Sequence, residues 1–282
     1  MGKKRRSFYG WGFEGDVVSA EELGWFERTW AELFKVDGFN PVAMPRESDI
    51  TLSAPRVALP AALQPFCTSD KYDRLRHSYG RSVHDLARMI LRRDFSNPPD
   101  AIAYPRDEDD IRAVLDWCGT NGLAAIPFGG GSSVVGGVNP PAEARYRGAV
   151  SIDLKHFNRV LEVDHVSQAA RIQTGILGPE LERQLKTSGL TMRFFLQAWE
   201  FSSLGGWIAT RAAGHFATVY SQIDDHIEAL RVVTPAGLLA TRRWPTSGAG
   251  PDPNRLFLGS EGALGIITEA WVRLHRRPTF RK

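Results

Sequence analysis

Cysteine is scarce: Cys67 and Cys118 are the only two in 282 residues, and they lie far apart. That excludes a disulfide framework and points to a reducing compartment, so a cytoplasmic protein is expected. Long apolar runs are lacking too, with nothing approaching the roughly 20 residues that span a bilayer. The basic N-terminus has no apolar core behind it, which argues against a secretion signal. Met1-Gly2 would open a myristoylation motif, but position 6 is Arg instead of Ser or Thr. Neither sign of charge dominates: 35 Lys and Arg stand against 32 Asp and Glu, a formal net charge of +3. The excess sits partly in Lys3–Arg6 and Arg276–Lys282, and no aromatic–basic stripe accompanies it. No nucleic-acid partner is expected.

Several catalytic signatures are missing as well. The seven histidines, His77, His84, His156, His165, His215, His226 and His275, show no zinc-like spacing, and neither HExxH nor paired CxxC occurs. No metal site is expected. There is no GxSxG elbow for a serine hydrolase and no Gly-Lys-Ser/Thr for a Walker loop. Asp107–Asp110 reads as a helix-start charge cluster, not an acid–base pair.

Hydrophobic residues make up 43% and charged residues 24%, the balance of a soluble globular enzyme with a sizeable core. Residues 1–95 read as helical and irregular. Ser19 and Glu22 form a capping box before a helix whose apolar face is Leu23, Phe26, Trp30, Leu33 and Phe34. A proline-studded, extended segment follows from Pro41 to Pro65, then a helix over Arg81–Arg92 with Val83, Leu86, Ala87 and Ile90 on one side. After Asn97-Pro98-Pro99, strand and helix alternate. Ala101–Tyr104 is a strand, and Asp107 caps a helix with Ile111, Val114, Leu115 and Cys118 on one face, ended by Gly122. Ala124–Phe128 is a second strand that runs into glycines. Further strands are predicted at Val150–Leu154, Val160–Val163, Ala169–Thr174, Leu230–Thr234, Leu238–Thr241 and Ile266–Leu274. A helix begins at Pro179 and stops at Gly189. The pattern is α+β with two packed subdomains.

Three glycine-rich clusters could carry chemistry. The first is Pro127, Phe128, Gly129, Gly130, Gly131, Ser132 and Ser133. Three glycines in a row let the backbone approach an anion, with successive N–H groups converging as a nest and two hydroxyls beside them. By itself the run fits a plain hairpin equally well. The second cluster is Glu200, Phe201, Ser202, Ser203 and Leu204 through Thr210, Arg211, Ala212, Ala213 and Gly214. Arg211 could fork onto a phosphate or carboxylate, although a tightly packed helix start with a solvated arginine explains the same residues. The third, Gly259–Ile267, read in isolation is a turn before a strand.

In this order and spacing, the clusters resemble the FAD-binding domain of the vanillyl-alcohol-oxidase and p-cresol-methylhydroxylase family. Within that family the chain is most similar to the alkyldihydroxyacetonephosphate synthases of ether-lipid synthesis. Pro127–Ser133, Gly175–Gly178 with Glu180–Lys186, Glu200–Arg211, Val233–Pro235 and Gly259–Glu269 carry the likeness, with weaker agreement at Asp73-Arg74, Gly80 and His84. The resemblance implies an FAD-binding domain over 96–277, with subdomains of about 96–175 and 176–277, after the 1–95 extension and before a 278–282 tail. It implies that Pro127–Ser133 grips the FAD pyrophosphate. Second, third and fourth FAD segments then fall on Gln197, Ala198, Trp199, Glu200, Phe201, Ser202 and Ser203; on Thr210–Ala213; and on Glu261, Gly262, Ala263, Leu264, Gly265, Ile266 and Ile267. Many relatives attach flavin through a histidine in the glycine loop; Gly131 stands there in this chain, which implies non-covalent FAD. Relatives usually read Pro-Asp-Ser where this chain has Leu196-Gln197-Ala198, a departure that bears on contacts near the flavin ring.

In the family a C-terminal cap domain supplies much of the substrate pocket. The chain stops at Lys282, just after the last strand, so no catalytic side chain can be assigned. The resemblance leaves three readings open. One is synthase-like exchange of acyl for alkyl on dihydroxyacetone phosphate, without net redox change, which the Gly206-Trp207 and Thr210-Arg211 pattern favours. Another is a dehydrogenase of a 2-hydroxy acid. The last is an FAD-binding remnant without a cap, or with a cap supplied by a longer product or another chain. The substrate would be a small molecule or lipid precursor, and homo-oligomer formation stays open.

Overall fold

Two hydrogen-bonded sheets organise the computed structural model, which describes residues 4–16, 18–143, 145–220, 222–244 and 248–280. Met1-Gly2 and the extreme end of the expected tail, Arg281-Lys282, lie outside the described residues. The strands are β1 (Cys67–Thr68), β2 (Ala101–Ala103), β3 (Leu123–Phe128), β4 (Gly148–Asp153), β5 (Val160–Asp164), β6 (Ala169–Gln173), β7 (Leu190–Thr191), β8 (Ile227–Thr234), β9 (Gly237–Ala240), β10 (Ile266–Arg273) and β11 (His275–Arg276). The helices used below are α1 (Ala20–Phe34), α2 (Lys71–Arg76), α3 (Val83–Ile90), α4 (Glu108–Asn121), α5 (Gly178–Leu185) and α6 (Leu204–Ala209).

The first sheet has the order β1-β2-β4-β3, with β2 and β3 both parallel to β4. Thus β4 inserts between the two strands that α4 connects. The second sheet, β5-β6-β10-β8-β9, is antiparallel throughout. It begins at Val160, ahead of the division expected near residue 175.

Local chemistry sets the helix ends. Ser19 and Glu22 form the expected capping box of α1. Asp107 caps α4 by accepting from Asp110 N, and Gly122 ends that helix at φ 64°, a left-handed conformation that favours glycine. Ile111, Val114 and Cys118 then pack on the first sheet with Val150 and Ile152. Glu108, at the start of α4, ties that layer to the second sheet. Its carboxylate accepts from Arg231 at 2.7 Å and from the Thr268 hydroxyl at 2.6 Å. Val233 and Ile266, on strands of the second sheet, share the core of the first.

Two faces differ from their sequence pattern. No residue of α1 is buried; Leu23, Phe26, Trp30, Leu33 and Phe34 are all exposed. In α3 the buried residues are Asp85 and Met89, whereas Val83 is 84% exposed. Asp85 is inside because it is hydrogen-bonded: it accepts from the Ser82 hydroxyl at 2.7 Å and from Asn139 Nδ2 at 3.1 Å. A polar tie to the loop after β3 overrides the apolar pattern.

The end of β3 is anchored by a buried polar cluster. Asp153, at the end of β4, lies 3.0 Å from Arg76 Nη1 and 3.1 Å from His77 Nε2. The His77 ring sits 4.1 Å from that of Phe128, the last residue of β3. Burial works against ionisation of Asp153, but the contacts from His77 and Arg76 outweigh it and hold its carboxyl at about 2. Because that value is depressed, its contribution to stability is complete above about pH 4 and fades as pH falls towards 2. Asp153→Asn should therefore lower stability in urea unfolding at neutral pH by about 3 kcal/mol, since it strands Arg76 without a counter-charge. The same variant should lack the acid-dependent loss of stability between about pH 4 and 2; an unchanged acid profile would refute this role for Asp153.

Candidate cofactor-binding site

Beyond Phe128 the chain leaves the first sheet and enters Gly129–Gly131. These glycines are required by close packing with a second loop. A Cβ on Gly130 would land on the Phe201 carbonyl oxygen, and one on Gly129 on the Ser203 hydroxyl. Gly131 has φ 73°, and its Cβ would enter the Phe128 ring. Opening a path for an anion is thus the lesser reason for the glycine run. The two loops lie backbone to backbone.

That packing leaves the amides uncommitted. Among the described residues, no N–H from Gly129 to Gly136 donates to another protein group; the next, Gly137 N, donates to Ser133 Oγ at 3.2 Å. An unbroken row of free donors is costly unless water or a ligand accepts from it. Residues 129–135 of this row border a cleft of about 1090 Å³, roomy enough for a dinucleotide.

The opposing loop is held just as firmly. Trp207, 2% exposed, donates from Nε1 to Ser202 Oγ at 2.7 Å, and that hydroxyl donates to the Ala198 carbonyl at 2.7 Å. Ser203 caps α6 by accepting from Gly206 N at 3.3 Å. Gly205 packs on Thr174, whose hydroxyl donates to the Ile267 carbonyl at 2.5 Å. One chain of contacts therefore runs from the second glycine cluster to the third.

Of the residues expected from sequence, Pro127–Ser133, Gln197, Ala198, Phe201–Ser203, Thr210, Ala212, Ala213, Glu261, Gly262 and Gly265–Ile267 line this cleft. Trp199, Glu200, Arg211, Ala263 and Leu264 do not. Trp199 lies in a tight 3-10 turn under Gly178, where a Cβ would strike its indole. Arg211, at φ 50°, turns outward to pair with Asp224, its Nε donating at 2.9 Å, and its stem lies over Gly259. Leu264 is half exposed, on the turn before β10.

Sequence reading missed several lining residues, among them Trp11, Arg81 and Val138; Leu196, Gly205 and Trp207, which also line the cleft, lay within segments it had named. Trp11 carried one signal, its place between Gly10 and Gly12, which marks a turn that leaves the ring uncovered. Arg81 carried none. Burial, with Arg76 and Arg6 nearby, lowers its guanidinium to about 10. The carboxyl of Glu261, which lies against Gly137 at the end of the glycine loop, is pushed up from its ordinary value by partial burial.

The family described as FAD binding domain matches residues 99–241, and the chain belongs to it. Alkyldihydroxyacetonephosphate synthase of Dictyostelium discoideum is 41% identical over 209 residues, 74% of this chain and 34% of that protein. Mitochondrial D-lactate dehydrogenase [cytochrome] of Arabidopsis thaliana is 32% identical over 222 residues, 78% of this chain and 36% of that protein. A solved alkyldihydroxyacetonephosphate synthase superposes with a TM-score of 0.83 at 30% identity, covering 98% of this chain and 55% of that chain. The chain spans about a third of the length of the curated relatives it matches. Among the described residues no helix is long and apolar enough to cross a membrane, and no cluster of metal-ligating side chains occurs.

Because Arg211 turns away from the cleft to pair with Asp224, Arg211→Ala should leave FAD affinity within about twofold of wild type. Flavin titration of the purified protein checks this, and a loss of about tenfold would return Arg211 to the ligand.

Proposed function

We propose that the cleft holds FAD non-covalently, its pyrophosphate on the free main-chain amides of Gly129–Ser133. The row of unpaired N–H groups is the observation that carries this reading. Backbone donors fixed in place by packing give up no side-chain entropy on binding an anion, and they keep their partial charges at any pH. The apolar lining from Leu196, Phe201, Trp207 and Ile266 suits the planar rings of the cofactor. Gly131, with no nucleophilic side chain, gives a flavin nothing to bond with covalently. Residues 201–203 and 261–267 close the remaining walls.

We further propose that this FAD serves synthase-like exchange of an alkyl for an acyl group on dihydroxyacetone phosphate, with a small lipid precursor as substrate. Support comes from the 41% identity to the Dictyostelium discoideum synthase and from the TM-score of 0.83 to a solved synthase. In that chemistry the bound flavin supplies the reactive ring. This chain's residues hold the cofactor by its phosphates and exclude water with Trp207, Phe201 and Leu196. Dehydrogenation of a 2-hydroxy acid is the second reading, favoured by the 32% identity to the Arabidopsis thaliana enzyme. The buried, free thiols of Cys67 and Cys118 fit a cytoplasmic setting.

Gly130→Val should purify with less than about a tenth of the FAD carried by wild type, because a branched side chain parts the two loops and disorders the amide row. A folded variant, yellow and fully occupied, would remove the loop assignment. For the reaction, two anaerobic mixtures separate the readings: bleaching of the flavin spectrum by D-lactate or glycolate supports the dehydrogenase, whereas release of fatty acid from acyl dihydroxyacetone phosphate with incorporation of an added long-chain alcohol, without net bleaching, supports the synthase.

A further inference from the structure

The N-terminal residues reach across the chain to the cofactor cleft. Residues 5–14 fold into a small hairpin, closed by a bridge between Arg6 and Phe13 and by Ser7 N donating to the Gly12 carbonyl at 3.1 Å. Arg81 pins it from below. Its Nε donates to the Gly10 carbonyl at 3.0 Å, Nη1 to those of Tyr79 and Gly80 at 3.1 and 2.8 Å, and Nη2 to those of Ser7 and Phe8 at 3.4 Å. These contacts engage the guanidinium of a residue that is only 9% exposed and leave little for a ligand. Arg81 is a positioning residue, not an anion site.

The same residue joins the hairpin to the glycine loop. Arg81 N donates to the Ser133 carbonyl at 2.6 Å, and Gly80 N to Asn139 Oδ1 at 2.8 Å. At Gly80 any side chain would collide with the Ser133 carbonyl, so the two segments lie in backbone contact. On the far side the hairpin grips Phe201: the Arg6 guanidinium lies 4.4 Å over that ring, and Trp11 and Phe13 stand 6.1 and 6.2 Å from it. The hairpin therefore bridges both loops of the cleft. Trp11 lines that cleft while 42% exposed.

We propose that residues 5–14 form a strap across the cofactor cleft and that the Trp11 indole packs on a planar ring of bound FAD. This rests on the FAD reading above. Phe201 is already covered by Arg6 and Phe13, so Trp11 is not needed to bury it. A tryptophan left bare beside a dinucleotide cleft gains both apolar contact and ring stacking when a flat aromatic system enters. The isoalloxazine and the adenine of FAD share that chemistry.

The test uses the whole chain, stripped of flavin, as wild type, Trp11→Ala and Trp11→Phe. Titration with FAD, FMN and ADP should show Trp11→Ala weakened about tenfold and Trp11→Phe near wild type. A loss shared with FMN but not ADP supports the strap and assigns isoalloxazine; a loss shared with ADP but not FMN supports it and assigns adenine. Affinities of Trp11→Ala within about twofold for all three ligands overturn the strap and leave the FAD reading standing. A wild-type chain with no affinity for FAD overturns the FAD reading, and the strap with it. A measurement on wild type alone provides a second check. FAD should slow tryptic cleavage after Lys4, Arg5 and Arg6, and equal rates with and without FAD overturn the strap.

Discussion

Everything at the cleft depends on the backbone contact between Gly129–Gly131 and residues 201–203. Two loops from different parts of the chain lie so close that no side chain fits between them. At that contact the amides of Gly129–Gly131 meet no protein acceptor and stay free. The donors are therefore a by-product of packing. Their rigidity comes from the second loop, itself fixed through Trp207, Ser202 and Ala198. Electrostatics plays a smaller part: the buried cation of the wall, Arg81, is occupied by carbonyl groups, and the free amides carry the partial positive charge.

The anchor beneath the glycine loop works on a different principle. Asp153, Arg76 and His77 bury charge around Phe128 and set where β3 ends. Such a cluster has little net worth against an apolar one of the same volume, yet breaking it is expensive, which makes it a device for specifying one arrangement. Asp85 acts alike on α3, choosing by hydrogen bonds a face that apolar patterning would not choose.

Much of this was legible in the sequence, because it is governed by neighbours along the chain. The Ser19 box, the Asp107 cap, the Gly122 stop and the alternation of β10 all depend on a few adjacent residues. The glycine clusters were legible too, although the physical reason for Gly130 was not: its neighbour Phe201 is remote in sequence. What escaped was set by distant pairing. Nothing local says that β4 slides between β2 and β3, that Asp85 meets Asn139, or that Trp11 reaches the cleft. The apolar stripe of α1 was read correctly as a stripe, but its periodicity does not say whether it is covered, and here it faces solvent.

Val233 and Ile266 belong by hydrogen bonding to the antiparallel sheet and by packing to the interior of the parallel one. Neither layer can then lose its order without uncovering the other, and Glu108 reinforces the bond between them. The two layers are mechanically one object, so heating should melt them in a single cooperative step. A molecule wedged between their loops would sense that whole object, gaining or losing its seat at the same temperature at which the layers come apart.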